Sequence, residues 1–338
     1  ELYPYSYQVV SGQKNEVDCK YVLRNNVVTF DLKGYDRNSL LVIDPTLIFS
    51  TYTGSTAENW GFTATPGPDG SLYAGGIAFD DGGNYPVSPG AYQTTNAGGP
   101  TEDNFGGYDI ALFKFSPNGS NRSYATYLGG SGNEQPHSMI VDRDGNLILE
   151  GRTNSSNYPI TTPVRGPGGD YDIVITKFNS AGNALLGSVR IGGSNDDGVN
   201  IAPKYRHPPT GAVSIRRNYG DDSRSEIILD NANNIIVVGC TQSPNFPTIG
   251  ISLNNSGGFG GAQDGVVMKF NTNLSSYMYG SFFGGSGDDG CFVANYSPVA
   301  DYLYVAGGTT SNDLPGEKSG VIYPGYKGGE TDGYVTKI

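Results

Sequence analysis

The chain has 338 residues, including 51 Gly, 24 Tyr and only two His, and its formal net charge is −12. This acidic balance disfavours nucleic acid and anionic membrane surfaces as partners, and the sequence has no apolar run long enough to insert into a membrane. Alternating, β-branched and aromatic runs bounded by Gly, Asn, Asp and Pro predict an all-β protein.

Residues 1–44 form an N-terminal β segment without the pattern of the remaining chain. The runs YQVVSG, VDCKYVLRNNVVTFDL and LLVIDP predict three or four strands with a turn at RNN. We expect the end of a preceding β domain or a small docked sheet, with Cys19 as a core thiol. The chain opens on Glu1 within β-like sequence, which is typical of a piece trimmed from a longer protein.

Residues 45–338 repeat one strand pattern four times. Strand D reads GGYDIALFKF, GDYDIVITKF, GAQDGVVMKF and GETDGYVTKI, at 106–115, 169–178, 261–270 and 329–338. Strand A follows three of these copies as YATYLGGSG, GSVRIGGSN and YGSFFGGSG. In each case the first Gly of the Gly-Gly pair lies 20 positions after the Asp of strand D, as Gly129 does after Asp109. The polar turn between them predicts an antiparallel hairpin.

A second hairpin, of strands B and C, follows each Gly-Gly pair. Its turns read GPDGS, DRDGN, DNANN and PVADY. Four short strands per repeat predict the blades of a β-propeller. The last D strand has no A strand after it, and TLIFSTY at 46–52 is an A strand with no D strand before it. We therefore predict a ring of four blades closed by the first and last strands, with an open array as the alternative.

The connections divide into two classes by length. The B-to-C and D-to-A turns are short, whereas the A-to-B and C-to-D connections are long and varied, which predicts one loop-rich face for binding. An insertion near 203–226 is rich in basic residues and carries Arg216, Arg217 and Tyr219. We interpret it either as a docking element or as an extra hairpin that covers the ring.

Catalytic chemistry is poorly represented in this sequence. His137 and His207 are the only histidines, and His137, at the entrance to an inner strand, is expected to be neutral and bonded to backbone. No nucleophile elbow, zinc-protease motif or P-loop is present. We therefore expect no enzyme and no cofactor.

Two acidic pairs, Asp196–Asp197 and Asp288–Asp289, are candidate binding residues in the turns after Gly-Gly-Ser. Asp and Gly are also what such turns require. Calcium is an alternative at these pairs and at DRDGN, although DRDGN lacks the rest of a calcium loop. No residue is assigned as a metal ligand.

Cys240 ends strand C of one blade and Cys291 begins strand B of the next. Adjacent blades would bring these two residues close together. Either a disulfide or two buried thiols would result.

The segments GYDRNSLLVIDPTLIFSTYTGS, NEQPHSMIVD, NYGDDSRSEIILD and DGYVTKI resemble the bacterial β-propeller repeat of large secreted Bacteroidetes proteins. Those proteins are gliding-motility-associated or type IX secretion substrates. The resemblance covers nearly the whole chain and implies export to the cell surface or the extracellular space. It implies no catalytic residues, and related repeats are often described as seven-bladed.

These observations favour a secreted or cell-surface propeller with a structural or adhesive role. Its partner would be a second copy of the chain, in an oligomer or filament, or another surface protein or polysaccharide. The alternative is a carbohydrate-binding module that uses the long loops of one face.

Overall fold

The computed structural model describes residues 4–25, 27–44, 48–101, 106–200, 224–254, 258–297 and 299–338. Within these ranges the chain forms strands and no helix, so no helix there could cross a membrane. The chain divides into two compact units, Glu1–Thr51 and Tyr52–Ile338. The sequence-based boundary, between residues 44 and 45, lies slightly earlier.

The N-terminal unit contains five strands in two antiparallel sheets. The three-stranded sheet has the order β2-β1-β5 and the two-stranded sheet pairs β3 with β4. The strands are β1 Tyr5–Val10, β2 Gln13–Glu16, β3 Asp18–Arg24, β4 Val27–Lys33 and β5 Leu41–Asp44. Cys19 is buried and free, as predicted.

The C-terminal unit contains four antiparallel sheets built in the same order. The first consists of β6 Asn59–Pro66, β7 Leu72–Phe79, β8 Tyr108–Phe115 and β9 Arg122–Leu128. The second consists of β10 Glu134–Val141, β11 Leu147–Thr153, β12 Asp172–Phe178 and β13 Leu185–Ile191. The third consists of β14 Glu226–Leu229, β15 Ile235–Thr241, β16 Asp264–Phe270 and β17 Tyr277–Phe283. The fourth has three strands, β18 Asp289–Tyr296, β19 Leu303–Thr309 and β20 Asp332–Lys337.

Each sheet follows the chain without a crossover, so the predicted order of strands B, C, D and A is confirmed. The repeated turns explain the regularity. In the second sheet, for example, Gly145 takes a φ of 79° in the turn between β10 and β11, a conformation that Gly adopts without steric cost. All-β architecture with four-stranded antiparallel sheets is therefore the observed fold class.

The predicted closing strand is not formed in the described residues. Residues 48–52 carry no strand, and β20 pairs there with β19 alone. The segment up to Thr51 belongs to the N-terminal unit. Tyr52 is 96% exposed, whereas its repeat equivalents Tyr127 and Phe282 are 6% exposed.

Apolar side chains from consecutive sheets form shared cores. One cluster joins the first two sheets through Leu112, Leu128 and Leu149. A second joins the second and third sheets through Ile175, Val189 and Val237. The first strands of the sheets, β6, β10, β14 and β18, contact one another in that order.

The predicted disulfide alternative is wrong in this structure. Cys240 and Cys291 are both free and fully buried. The sulfur of Cys291 instead lies 3.1 Å from the hydroxyl of Tyr334 on β20. Burial raises the pKa of the Cys291 thiol to about 12, so it is protonated at neutral pH.

Candidate functional site

A polar cavity of about 570 Å³ lies among the long loops of the first three sheets. Its walls come from the β7–β8, β9–β10, β11–β12 and β13–β14 connections. These connections all belong to the class that the sequence predicts to share one face. The lining residues are Pro100, Ser131, Gly132, Asn154, Ser156, Gly169, Asp170, Tyr171 and Asp196.

Tyr171 is fixed in the cavity wall through its backbone and its ring. Its N–H donates to Asp196 Oδ1 over 3.2 Å, and its carbonyl accepts from the N–H of Asp197 over 2.8 Å. The guanidinium of Arg152, itself buried, lies 4.8 Å from the centre of the Tyr171 ring. A cation at this distance stabilises an aromatic ring electrostatically. The tyrosine is therefore oriented before any ligand arrives.

The part of the wall that Ser131 and Gly132 form is held by side chains of the β11–β12 connection. The N–H and hydroxyl of Ser131 donate to Asn157 Oδ1 over 2.8 and 2.9 Å. The N–H of Gly132 donates to Ser155 Oγ over 2.6 Å. The same arrangement recurs after β13 with Asn245 and Ser243, and after β17 with Asp313 and Ser311. The Gly-Gly-Ser motif is thus a clamp between consecutive sheets.

The cavity is acidic. Burial raises the pKa of Asp196, and the nearby charge of Asp170 raises it further. The N–H of Tyr171 and the charge of Arg152 act in the opposite direction. Two neighbouring carboxyl groups disfavour an anionic ligand and suit hydroxyl or ammonium donors, which carboxylates accept.

Paired carboxyl groups join consecutive sheets next to these clamped loops. The pairs are Asp109–Glu134, Asp172–Asp197 and Asp264–Asp289, and all six residues are buried. In the first pair, Glu134 accepts hydrogen bonds from the hydroxyls of Thr153 and Ser155 and from the N–H of Gly130. Asp197 accepts the equivalent hydrogen bonds from Thr241, Ser243 and Gly193. Asp289 accepts them from Ser311 and Gly285.

Burial raises the pKa of five of these carboxyl groups, namely Asp109, Glu134, Asp172, Asp197 and Asp264. It raises the pKa of Asp109 to about 8, and the neighbouring Glu134 adds to that rise. It raises the pKa of Asp197 to about 7 and that of Asp264 to about 7, with further contributions from Asp172 and Asp289. Like charges in one buried place cannot both ionise easily.

The structure separates the binding residues expected from the sequence. Asp196 lines the cavity, whereas Asp197 and Asp289 belong to the buried pairs. Asp288 is half-buried, and its Oδ1 accepts the N–H of Ala262 over 2.7 Å. Arg216, Arg217 and Tyr219, like most of the insertion near 203–226 and His207, lie outside the described residues.

Asp142, the first residue of DRDGN, is engaged as a turn residue. Its carboxylate accepts the N–H groups of Asp144 and Asn146 and pairs with Lys177 over 2.8 Å. The part of the chain that the structure describes contains no group of three His, Cys, Asp or Glu placed to hold a metal ion. Calcium binding stays an untested prediction.

His137 is buried away from the cavity, at a bulge in β10 between the paired residues Pro136 and Ser138. Its Nδ1 lies 2.8 Å from the hydroxyl of Ser225 and 3.6 Å from Glu150. The expected backbone partner of this histidine is therefore wrong. A side-chain hydroxyl occupies that position instead.

Sequence reasoning missed Tyr171, Asp170 and Asn154. The first two stand directly before the repeated Asp of strand D, where the other copies have Gly-Tyr, Ala-Gln and Glu-Thr at those two positions. The departure from the repeat at Asp170 was the available signal, because scaffold residues recur and ligand contacts need not. Tyr171 recurs as Tyr108 and gave no such signal.

Comparison with known proteins identifies one family model, "Domain of unknown function (DUF7948)", which matches residues 1–46. No curated protein matches the sequence. The predicted resemblance to Bacteroidetes propeller repeats is not among these matches and stays a prediction.

Several solved structures match this chain at low sequence identity. A protein of unknown function from Dyadobacter fermentans DSM 18053 is 9% identical, with a TM-score of 0.37, and the match covers 93% of this chain and 81% of that one. An ulvan lyase of polysaccharide lyase family PL25 is 14% identical, with a TM-score of 0.36 and coverages of 82% and 57%. A Hadza microbial sialidase is 9% identical, with a TM-score of 0.37 and coverages of 83% and 48%. This chain thus spans about half the length of the two enzymes.

The expectation that the chain is not an enzyme is corrected by these matches. Two of the structures are a lyase and a sialidase. The absence of familiar catalytic motifs excluded specific mechanisms only, because a fold hosts many chemistries and activity depends on the site.

Proposed function

We propose that the four sheets of the C-terminal unit are the blades of a β-propeller. Each sheet repeats one strand order, and the first strands β6, β10, β14 and β18 contact one another in succession. Clamped Gly-Gly-Ser loops link each sheet to the next. This arrangement supports blades stacked around an axis, with the loop class that lines the cavity on one side.

The function that the geometry supports best is the binding of a saccharide in the polar cavity. The observation that carries this proposal is the held pair of Tyr171 and Asp196, beside Asp170, in a cavity of about 570 Å³. Tyr, Asp, Asn and Ser side chains offer donors and acceptors together, which suits a ligand rich in hydroxyl groups. The half-buried tyrosine supplies an amphipathic ring.

The charge of the cavity narrows the ligand class. Asp170 and Asp196 are neighbouring carboxyl groups, and Arg152 is the cation that acts on Asp196. With a net charge of −12 on the chain, we expect neutral saccharides or amino sugars to bind, and uronates or sulfated sugars to be repelled. Such binding fits a polysaccharide partner at a cell surface, and self-association stays a separate prediction.

Isothermal titration with neutral, amino-sugar and uronate hexasaccharides tests the proposal. We expect saturable binding of the first or second class, weakened about tenfold, or ~1.4 kcal/mol, in Asp196→Asn and Tyr171→Ala. Asp144→Asn is the matched control, because it removes one carboxylate from an exposed B-to-C turn. Equal weakening in all three variants, or no binding of any class, would contradict the proposal.

A further inference from the structure

The carboxyl pairs of the first and third sheet junctions accept hydrogen bonds but have no cationic partner among the described residues. Within the described residues, Asp109, Glu134, Asp264 and Asp289 have no ion-pair partner, and each is at most 1% exposed. Asp109 Oδ1, Asp264 Oδ1 and Asp289 Oδ1 also have no hydrogen-bond partner. Buried, unpaired carboxylates are costly, so something must neutralise them.

The two carboxyl groups of each pair lie close together. At the first junction, a Cβ on Gly129 would lie 2.4 Å from Asp109 Oδ1 and 2.5 Å from Glu134 Oε2. At the third junction, a Cβ on Gly284 would overlap Asp264 and lie 2.6 Å from Asp289 Oδ2. One glycine hydrogen therefore occupies the space between the two carboxyl groups.

A proton satisfies this geometry better than a metal ion. Asp264 Oδ2 already accepts the N–H of Gly260 over 2.8 Å, and Asp289 Oδ2 accepts from Gly285 and Ser311. Two remaining carboxylate oxygens fall short of the six to eight oxygen ligands of calcium. A single proton would neutralise one group and let it donate to the other.

We propose that Asp109–Glu134 and Asp264–Asp289 each hold one proton at neutral pH and act as proton-dependent latches between consecutive sheets. Loss of the proton leaves two buried negative charges that repel each other across the junction. The Gly-Gly-Ser loop beside each pair then loses its anchor, because Gly130 and Gly285 donate to the same carboxyl groups.

The neighbours of each pair do not supply a compensating cation. Tyr127 and Tyr158 face Asp109, while Asp288, Cys291 and Tyr334 face the third pair. All of these are neutral or negative at neutral pH. The second junction differs, because Arg190 Nε lies 3.3 Å from Asp172 Oδ2, and it provides an internal comparison.

The direction of the pH dependence follows from proton linkage. The pKa of Asp264 is about 7 in the folded protein, against 3.8 ordinarily. The folded state therefore holds a proton that the unfolded state releases between these values. The contribution of this proton to the free energy of unfolding is fully present below about pH 4 and is lost as the pH rises toward 7. The unfolding equilibrium constant should increase about tenfold per pH unit for each latch across this window.

Chemical denaturation of the full chain between pH 4.5 and 9 tests the latch in Asp264→Asn. The amide keeps the shape of the carboxyl group and donates a hydrogen bond without titrating. We therefore expect the unfolding equilibrium constant of this variant to rise about tenfold less per pH unit than that of the parent. Asp301→Asn, an exposed residue with the same charge change, should keep the parental slope.

Unfolding that is measured with added calcium completes the test. An unchanged slope in Asp264→Asn would overturn the proposal. So would a calcium-dependent stabilisation of the parent that Asp264→Asn abolishes, since a cation would then occupy the pair. If Asp264→Asn fails to fold, the same measurement on Asp109→Asn decides, with the same outcomes.

Discussion

At the scale of single residues, the first Gly of each Gly-Gly-Ser motif is required by the carboxyl pair beside it. A Cβ on Gly129, Gly192 or Gly284 would overlap the paired carboxyl groups at its own junction. The second Gly is confined in the same way by the serine of the next sheet, as at Gly193 and Ser243. Packing thus explains why the motif is repeated within the chain. Its fixed spacing from the Asp of strand D follows from the hairpin between them.

Gly284→Ala should destabilise the C-terminal unit. The added methyl must displace Asp264 and Asp289, and overpacking of this kind typically costs about 1–3 kcal/mol. Gly325→Ala is the control, because a Cβ there meets no atom within 4 Å. Urea denaturation of both variants would measure the difference, and equal midpoints would contradict this account of the motif.

At the scale of elements, strand D carries a second repeated device, its Lys. Lys177 Nζ on β12 lies 2.8 Å from Asp142 in the β10–β11 turn and 3.0 Å from the carbonyl of Thr272. Burial alone would raise the pKa of Asp142, but Lys177 and Asn146 outweigh it and lower that pKa. Lys269 pairs with Asp230 in the same way in the third sheet. In the fourth sheet Lys337 instead lies 3.5 Å from the centre of the Tyr302 ring.

Lys177→Met should cost about 3–5 kcal/mol, because it leaves the buried carboxylate of Asp142 without its partner. Lys114→Met offers a matched control, since its partner Asp69 is 58% exposed at 3.5 Å, and a loss of less than about 1 kcal/mol is expected there. Thermal and chemical unfolding of both variants would test this. Similar losses at the two sites would show that burial does not distinguish the pairs.

The sequence predicted the strands of the repeats well, because motifs such as DIVITKF combine alternation with fixed turn residues. It predicted the N-terminal segment less well, where five strands occur in place of three or four. The predicted closing strand is absent from its described residues, 48–52. Its sequence pattern reports a local strand preference, whereas strand pairing depends on which compact unit the segment joins. The cavity could not be predicted, since four loops distant in sequence supply its walls.

At the scale of the whole molecule, repetition and variation have separate roles. The repeated Gly, Ser and carboxyl groups fasten each sheet to the next, while the unrepeated residues Asp170 and Pro100 vary the lining of the cavity. The fourth sheet differs from the others in the described residues, because β20 has a partner on one side only and Val335 is 86% exposed. Such an edge can accept another strand.

Hydrogen–deuterium exchange of the full chain, with and without saturating neutral and amino-sugar hexasaccharides, tests the central claim most directly. We predict slower exchange at 131–133, 154–156 and 169–171, which carry the cavity walls. The D-to-A turns at 116–121, 179–184 and 271–276 should be unchanged. Protection at those turns, or no change in the cavity loops while a saccharide is bound, would contradict the assignment of the cavity as the binding site.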